Sequence, residues 1–318
     1  MSSEFELIRR YFAKPANKAV LGTGDDCALL RPAPGVDFAV STDMLLEGSH
    51  FLPGTDPQKL GRKALAVNLS DLAACGADPV YALLAVALPQ PDETWIEAFA
   101  RGFFSLADAH DVELVGGDTT RGPLCVCITV IGEVPGKLAL RRSGAKVGDD
   151  VWLSGRTGEA ALALAHLQHR TRLPESDLAD CLDRLDNPAP RVELGGRLRG
   201  LASSAIDVSD GLLADLGHVA QASGARIEVQ LGRLPRAGAL QSCADKAVAL
   251  QCLVAGGDDY ELAFGASVSR RGDILALSEE LDVPLTRIGT VVNGQGVALL
   301  DENGEPLDVE RRGFDHFR

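Results

Sequence analysis

The chain has no run of the ~18 apolar residues that a membrane-spanning helix requires, so no membrane partner is expected. Its 7 cysteines form no C-x-x-C pair, and the odd number argues against a disulfide framework. They sit mostly in apolar runs, where a thiol acts as a small hydrophobe, and this usage points to the cytoplasm. Aromatic residues are scarce at 5%. Basic residues are outnumbered, 31 Lys+Arg against 45 Asp+Glu, for a net charge of -14. That balance argues against a nucleic-acid partner, whose affinity depends on clustered cations. The opening "MSSEFELIRRYFAKP" reads as an amphipathic helix and lacks the apolar core of a signal peptide.

Several catalytic signatures are also missing. "GEVPGKL" is the nearest approach to a P-loop, but its spacing is wrong and Leu138 stands where a hydroxyl is needed. "GTGDDC" begins like a dinucleotide fingerprint and lacks the third small residue. No G-x-S-x-G nucleophile elbow occurs, and no D-x-D pair ends a strand as an aspartyl-phosphate enzyme would want. Cys125 and Cys127 share one face of a predicted strand but have no further ligand pair to complete a zinc site.

What is present is Ala, Leu, Val and Gly in alternating strand and helix patterns, with 46% apolar residues overall. Strands are predicted at 37–43, 80–89, "VELVG" and "LCVCITVIGEV", and helices at 56–76 and 92–111. The polar, glycine-bearing "RRSGAKVGDD" marks a domain boundary, giving an N-terminal domain 1–140 and a C-terminal domain 141–318. The second half restarts with the strand "VWLSG" and a helix from about Glu159, followed by a polar stretch around "RTRLPESD". Then "SSAIDVSDGLLADLGHVAQASG" reads as strand, turn, helix and stop, with further strands at "ARIEVQL", "YELAFGA" and "LTRIGTVV". Both halves are α/β, each a sheet packed with helices.

Acidic residues collect where strands give way to turns. "GTGDDCALL" carries Asp25 and Asp26, "STDMLLEGSHF" carries Ser41, Thr42 and Asp43, and "AIDVSDGLL" carries Asp207 and Asp210. "LVGGDTT" turns on two glycines ahead of Asp118. Asn68, Ser70 and Asp71 lie inside an otherwise small and apolar helix, with no Lys or Arg between Ala64 and Leu88. A buried carboxylate needs a pairing partner or a metal. Each aspartate taken singly is more often a cap or turn residue than a ligand, and the "GGDT" turn is either a phosphate cradle or a turn alone. Together these sites favour hard-oxygen coordination of several Mg²⁺ ions.

Taken in order, "GDDCALL", "STDMLLEGSHF", "KALAVNLSDLAACGADP", "VGGDTTRG", "DVSDGL" and "GGDDYEL" resemble the thiamine-monophosphate kinases, of the superfamily named for aminoimidazole ribonucleotide synthetase. The resemblance spans nearly the whole chain. It implies the two-domain fold of that superfamily, a homodimer formed through the N-terminal sheets, and a C-terminal domain closing over an N-terminal domain that carries ATP and Mg²⁺. It implies that ATP phosphorylates thiamine monophosphate directly to thiamine diphosphate, the last step in making that cofactor. On this resemblance Asp26, Ser41, Thr42, Asp43, Asp71, Asp118, Asp207 and Asp210 are metal ligands. Gly117, Asp118, Arg142 and Ser209 contact ATP, while His50, Glu261 and the terminal aromatic Phe317 contact thiamine monophosphate. Phe317 stands where the family often has Trp and still offers a ring to the cationic thiazolium; Asp258 stands where Glu is common.

The chemistry suits the residue inventory. A phosphate monoester has a second pKa of about 6, so the acceptor oxygen needs no general base. The obstacle is repulsion between phosphates, about 4 kcal/mol per unit charge pair at 4 Å and an effective dielectric of 20. Neighbouring families fit less well. A selenophosphate synthetase would want a reactive Cys with a Lys in a glycine-rich N-terminal segment, and the hydrogenase maturation proteins end in cysteine, whereas this chain ends in "FDHFR". Aminoimidazole ribonucleotide synthetase itself is matched less closely by "STDMLLEGSHF". A non-catalytic nucleotide- or Mg²⁺-binding regulator would be expected to have lost some of these aspartates.

Overall fold

The chain enters through a single helical turn, α1 (Glu4–Leu7), that widens into a π-type turn over Ile8–Phe12. This is shorter than the helix expected for the first fifteen residues. Ala13 is already extended, and Pro15 disfavours helix in the residue before it. The structure, a computed structural model, describes residues 4–316. Two units divide the chain: one contains the residues up to Leu72 with Ala77–Lys137, the other Ala73–Gly76 with the chain from Leu138 onward.

The first unit is built on β1 (Val36–Leu46), α2 (Pro57–Ala74), β2 (Asp78–Leu88), α3 (Glu93–Ala109), β3 (Glu113–Arg121) and β4 (Cys125–Pro135). Its sheet has the order β1-β4-β2-β3, with β2 and β3 parallel and the other pairs antiparallel. Helix α2 starts at Asp56, whose Oδ1 accepts the Lys59 N–H at 3.0 Å, with Pro57 suited to the first turn. Its Ala/Leu sequence favours helix, and Leu60, Ala64, Leu65, Leu69 and Leu72 are all buried. Helix α3 begins at Asp92, which caps the Thr94 and Trp95 amides.

Strand pleating sorts β1 into two faces. Ser41, Asp43 and Leu45 stand opposite the buried Val130, Ile128 and Val126 of β4. Val40, Thr42, Met44 and Leu46 stand opposite Ile131, Thr129, Cys127 and Cys125 on the other face. That second face is open within the unit: Val40 is 62% exposed and Met44 54%.

The second unit carries β5 (Asp150–Ser154), α4 (Glu159–Leu167), α5 (Glu175–Asp186), α6 (Val192–Leu198), β6 (Ser204–Asp207), α7 (Leu212–Ser223) and β7 (Arg226–Gln230). These are followed by α8 (Gly238–Ser242), α9 (Lys246–Ala255), β8 (Leu262–Ala266), α10 (Arg271–Glu280), β9 (Leu285–Val292) and β10 (Gly296–Leu300). The mixed sheet runs β10-β7-β9-β5-β8-β6. Both its faces are covered, which is why all five residues of β5 are buried. Val151 and Leu153 join a core with residues of α4, α7 and α9, whereas Trp152 packs with Phe264 and residues of α6 and α10. The stretch around "RTRLPESD", read as polar, leads directly into α5, whose acidic outer face dilutes the apolar stripe formed by Leu178, Cys181 and Leu185.

Candidate active site

In the first unit, β1 and α2 bring two predicted ligand groups together. Asn68 and Asp71 are three residues apart and therefore lie on one face of α2. The Ser41 Oγ donates to Asp71 Oδ2 at 2.5 Å, and the Asp43 N–H donates to Asn68 Oδ1 at 3.0 Å. Asn68 is anchored in turn, its Nδ2 donating to the Ala64 carbonyl at 2.9 Å. The helix thus clamps the strand in a register that puts Ser41, Asp43 and Asp71 side by side. Thr42 lies between them in sequence but faces the other way, its Oγ1 2.7 Å from that of Thr129.

Asp118 lies in a strand rather than beyond a turn. The sequence suggests that Gly116 and Gly117 break β3, whereas the ladder with β2 continues through Gly117↔Leu84 and Asp118↔Ala85 after a register shift near Ala82/Leu83. Gly117 has φ 146°, and a Cβ there would come within 1.8 Å of the Leu84 carbonyl oxygen. Glycine here permits close approach of two backbones instead of reversing the chain. Asp118 is exposed, in the cross-strand row of Ala85, Cys127 and Met44, and so of opposite parity to Asp43. Asp26 is exposed on the loop before β1, its N–H bonded to Asp25 Oδ1 at 2.8 Å. His50 closes the tight turn after β1, its Nδ1 accepting the Leu46 N–H at 3.1 Å.

In the second unit the motifs "IDVSDG" and "GGDDYEL" are neighbours because β6 and β8 pair antiparallel, with Asp207 opposite Leu262. Main-chain bonds continue past the strand ends: Val208 N–H to Glu261 O at 2.8 Å, Tyr260 N–H to Val208 O at 2.8 Å and Asp258 N–H to Ser209 O at 2.9 Å. Asp207 is buried, Ser209 and Asp210 half-buried. Burial raises the pKa of Asp210, with His316 and His218 pulling it down. Asp258 and Tyr260 both take positive φ, and the Tyr260 hydroxyl donates to Asp258 Oδ1 at 3.0 Å. Non-glycine residues in that region are uncommon and gather at functional loops. Arg142 is exposed. Phe317 lies outside the described residues.

Glu261 is held in a way that sequence reading missed. It is 1% exposed, and Arg191 grips it as a fork, Nε to Oε2 at 2.6 Å and Nη2 to Oε1 at 2.5 Å. Ser154 Oγ donates to the same Oε2 at 2.6 Å. Gly155 leaves room for this carboxylate, since a Cβ there would sit 2.0 Å from Oε1. Two further carboxylates were also overlooked. Asp259 accepts the Gly158 N–H on both oxygens at 2.9 Å, and burial raises its pKa well above the usual range. Asp215, 3% exposed, accepts three amides of the 209–211 loop; burial, then the charges of Asp207 and Asp210, push its pKa up to about 7. Its available sequence signal was a carboxylate in the first turn of a helix that follows a glycine turn.

Among the described residues no group of three or more His, Cys, Asp or Glu side chains is placed to hold a metal ion. The donors that do converge, Ser41 Oγ with the carboxylates on α2 and β1, are all oxygen, which suits Mg²⁺ rather than zinc. None of the helices in the described residues is long and apolar enough to cross a membrane.

The family described as "AIR synthase related protein, N-terminal domain" matches residues 24–134. The thiamine-monophosphate kinase of Salmonella typhimurium LT2 is 44% identical over 319 aligned positions, covering 99% of this chain and 98% of that protein. Among solved structures, the thiamine-monophosphate kinase of Stenotrophomonas maltophilia K279a has 46% identity and a TM-score of 0.86, covering 95% of this chain and 96% of that one. AaThiL, solved in complex with AMPPCP and TMP, has 29% identity and a TM-score of 0.79, covering 90% and 89%.

Proposed function

This chain belongs to the thiamine-monophosphate kinase family, and we propose that it transfers the γ-phosphoryl group of ATP to the phosphate of thiamine monophosphate, forming thiamine diphosphate and ADP. The observation that carries this reading is identity of 44% across essentially the whole length of a thiamine-monophosphate kinase. The complex of AaThiL with an ATP analogue and TMP supports the same substrate pair.

In this reading the residues act mainly by placement. Ser41, Asp43 and Asp71 present oxygen donors from β1 and α2 of the first unit, and Asp26 and Asp118 add carboxylates from its surface. Asp207 and Asp210 serve as ligands on the second unit. Thr42, whose hydroxyl is turned toward Thr129, would contribute through its main-chain carbonyl. Bound Mg²⁺ would neutralise the approaching phosphates and align them for in-line transfer. Gly117 and Asp118 on β3, with Arg142 and Ser209, are assigned to ATP. Because Gly117 stays in the ladder with β2, what it would offer ATP is a strand edge rather than a turned loop of amides. His50, Glu261 and Phe317 are assigned to thiamine monophosphate; the Arg191 fork on Glu261 makes any contact by that residue one through an already paired carboxylate. No side chain is needed to deprotonate the acceptor oxygen.

Coupled ADP release with thiamine monophosphate, free thiamine and aminoimidazole precursors tests this directly. Turnover is expected with the monophosphate and is lost on adding EDTA. Activity on formylglycinamidine ribotide, with none on thiamine monophosphate, would refute the assignment. In the same assay Phe317→Ala should raise the KM for thiamine monophosphate more than that for ATP; the reverse order would remove Phe317 from the acceptor pocket.

The open face of the first unit's sheet supports a homodimer. Phe38, Val40, Met44 and Leu46 form an exposed apolar row on an edge strand, flanked by Ile131, Cys127 and Cys125. Such a row facing water would be costly, and a second copy of the same sheet would cover it. Sedimentation equilibrium should return twice the chain mass, with Val40→Glu shifting it toward the monomer. A wild-type mass of one chain at micromolar concentration would rule the dimer out.

A further inference from the structure

Asp215 is used by none of the assignments above, yet it is buried against a loop that carries two of them. Its Oδ2 accepts the N–H of Ser209 at 3.0 Å, of Asp210 at 3.1 Å and of Gly211 at 3.1 Å. A single oxygen shared by three successive amides makes them converge, so the chain must curl around it. The carbonyls of the same loop are also engaged. Ser209 O accepts from Asp258 N–H at 2.9 Å, Asp210 O from Phe314 N–H at 2.9 Å, and Gly211 O from Asp215 N–H at 3.0 Å. Every main-chain donor and acceptor from Ser209 to Gly211 therefore has an internal partner. A concave run of amides is a ready phosphate cradle, but here a carboxylate of the protein itself fills it.

We propose that Asp215 is a positioning residue for the reaction: it occupies the amide cradle of the Ser209–Gly211 loop and thereby fixes the direction in which Asp210 presents its carboxylate. Phosphate or metal reaching this loop is met by the side chains of Ser209 and Asp210, not by the backbone. This inference rests on the proposed metal-ligand role of Asp210.

The test uses the full-length protein and the variants Asp215→Ala and Asp215→Asn, with Mn²⁺ as a spectroscopic probe. Asp215→Ala should speed amide hydrogen exchange at Ser209–Gly211 at least tenfold and weaken Mn²⁺ binding, titrated by electron paramagnetic resonance, at least tenfold. Asp215→Asn keeps one oxygen for the three amides, and should restore loop protection and most of the Mn²⁺ affinity. A folded Asp215→Ala with wild-type exchange and wild-type Mn²⁺ affinity would overturn the proposal. So would an Asn variant whose loop is protected but whose Mn²⁺ affinity is lost, because the charge rather than the placement would then be what matters. The Asn arm still decides the matter if the Ala variant does not fold. Neither readout requires turnover, so a wild-type protein that fails to phosphorylate thiamine monophosphate would defeat the functional reading separately.

Discussion

Asp71→Asn should lower kcat at least a hundredfold while leaving the fold intact. Asparagine has nearly the shape of aspartate and keeps an oxygen for the Ser41 hydroxyl, which lies 2.5 Å from Asp71 Oδ2. The clamp between β1 and α2 also retains the Asn68 bond to the Asp43 amide. What disappears is a negative charge beside Ser41 and Asp43, where the proposed chemistry places a divalent cation. A hundredfold loss corresponds to about 2.7 kcal/mol of transition-state stabilisation, within reach of one metal ligand. The decisive comparison is kcat at saturating Mg²⁺ with the melting temperature as a control for folding. Near-normal turnover in a well-folded Asp71→Asn would mean that Asp71 has only a structural part at the strand–helix contact.

Arg191→Ala should cost about 3 kcal/mol of stability. Glu261 is 1% exposed and its two oxygens are taken by the Arg191 fork. Removing one partner of a buried pair leaves the other charge in a poor solvent, and such losses run to about 3–5 kcal/mol. The lower end applies because Ser154 still donates at 2.6 Å and Arg184 lies 3.9 Å away. For a unit of this size the melting temperature should fall by roughly 6–12 °C. The same experiment bears on Glu261. If its task is to hold this pair, Glu261→Gln lowers the melting temperature and leaves the KM for thiamine monophosphate within about twofold of wild type. A raised KM with an unchanged melting temperature would instead make Glu261 a substrate contact.

Apolar content, length and bounding Gly or Pro residues were enough to locate β1, α2 and β2, because a segment buried nearly all round, as α2 is over Ala64–Ser70, shows itself by composition rather than by spacing. β9 (Leu285–Val292) coincides with the expected strand "LTRIGTVV". The polar stretch leading to α5 was harder to read, since a surface helix with six charged residues in "ESDLADCLDRLD" carries only a thin apolar stripe. "GGDTT" misled for another reason. Glycines favour turns when nothing else competes, but here β2 offers main-chain partners again after a single register shift, and the ladder wins.

By itself the sequence determined the class of chemistry: acidic residues with hydroxyls at strand ends, no P-loop, no nucleophile elbow, and six motifs in an order that one family shares. Composition and local spacing are properties of the chain and survive without its fold. Only the tertiary structure decided which of those residues meet. Ser41 reaches Asp71 across 30 positions and Arg191 reaches Glu261 across 70, and neither pairing leaves a local pattern. Pleat parity then turned Thr42 away from its two neighbours, and the closure of α7 onto its own entry loop placed Asp215 beneath Asp210. Side-chain direction depends on which surface becomes the core, and that is settled by packing and by hydrogen-bond partners supplied from distant parts of the chain.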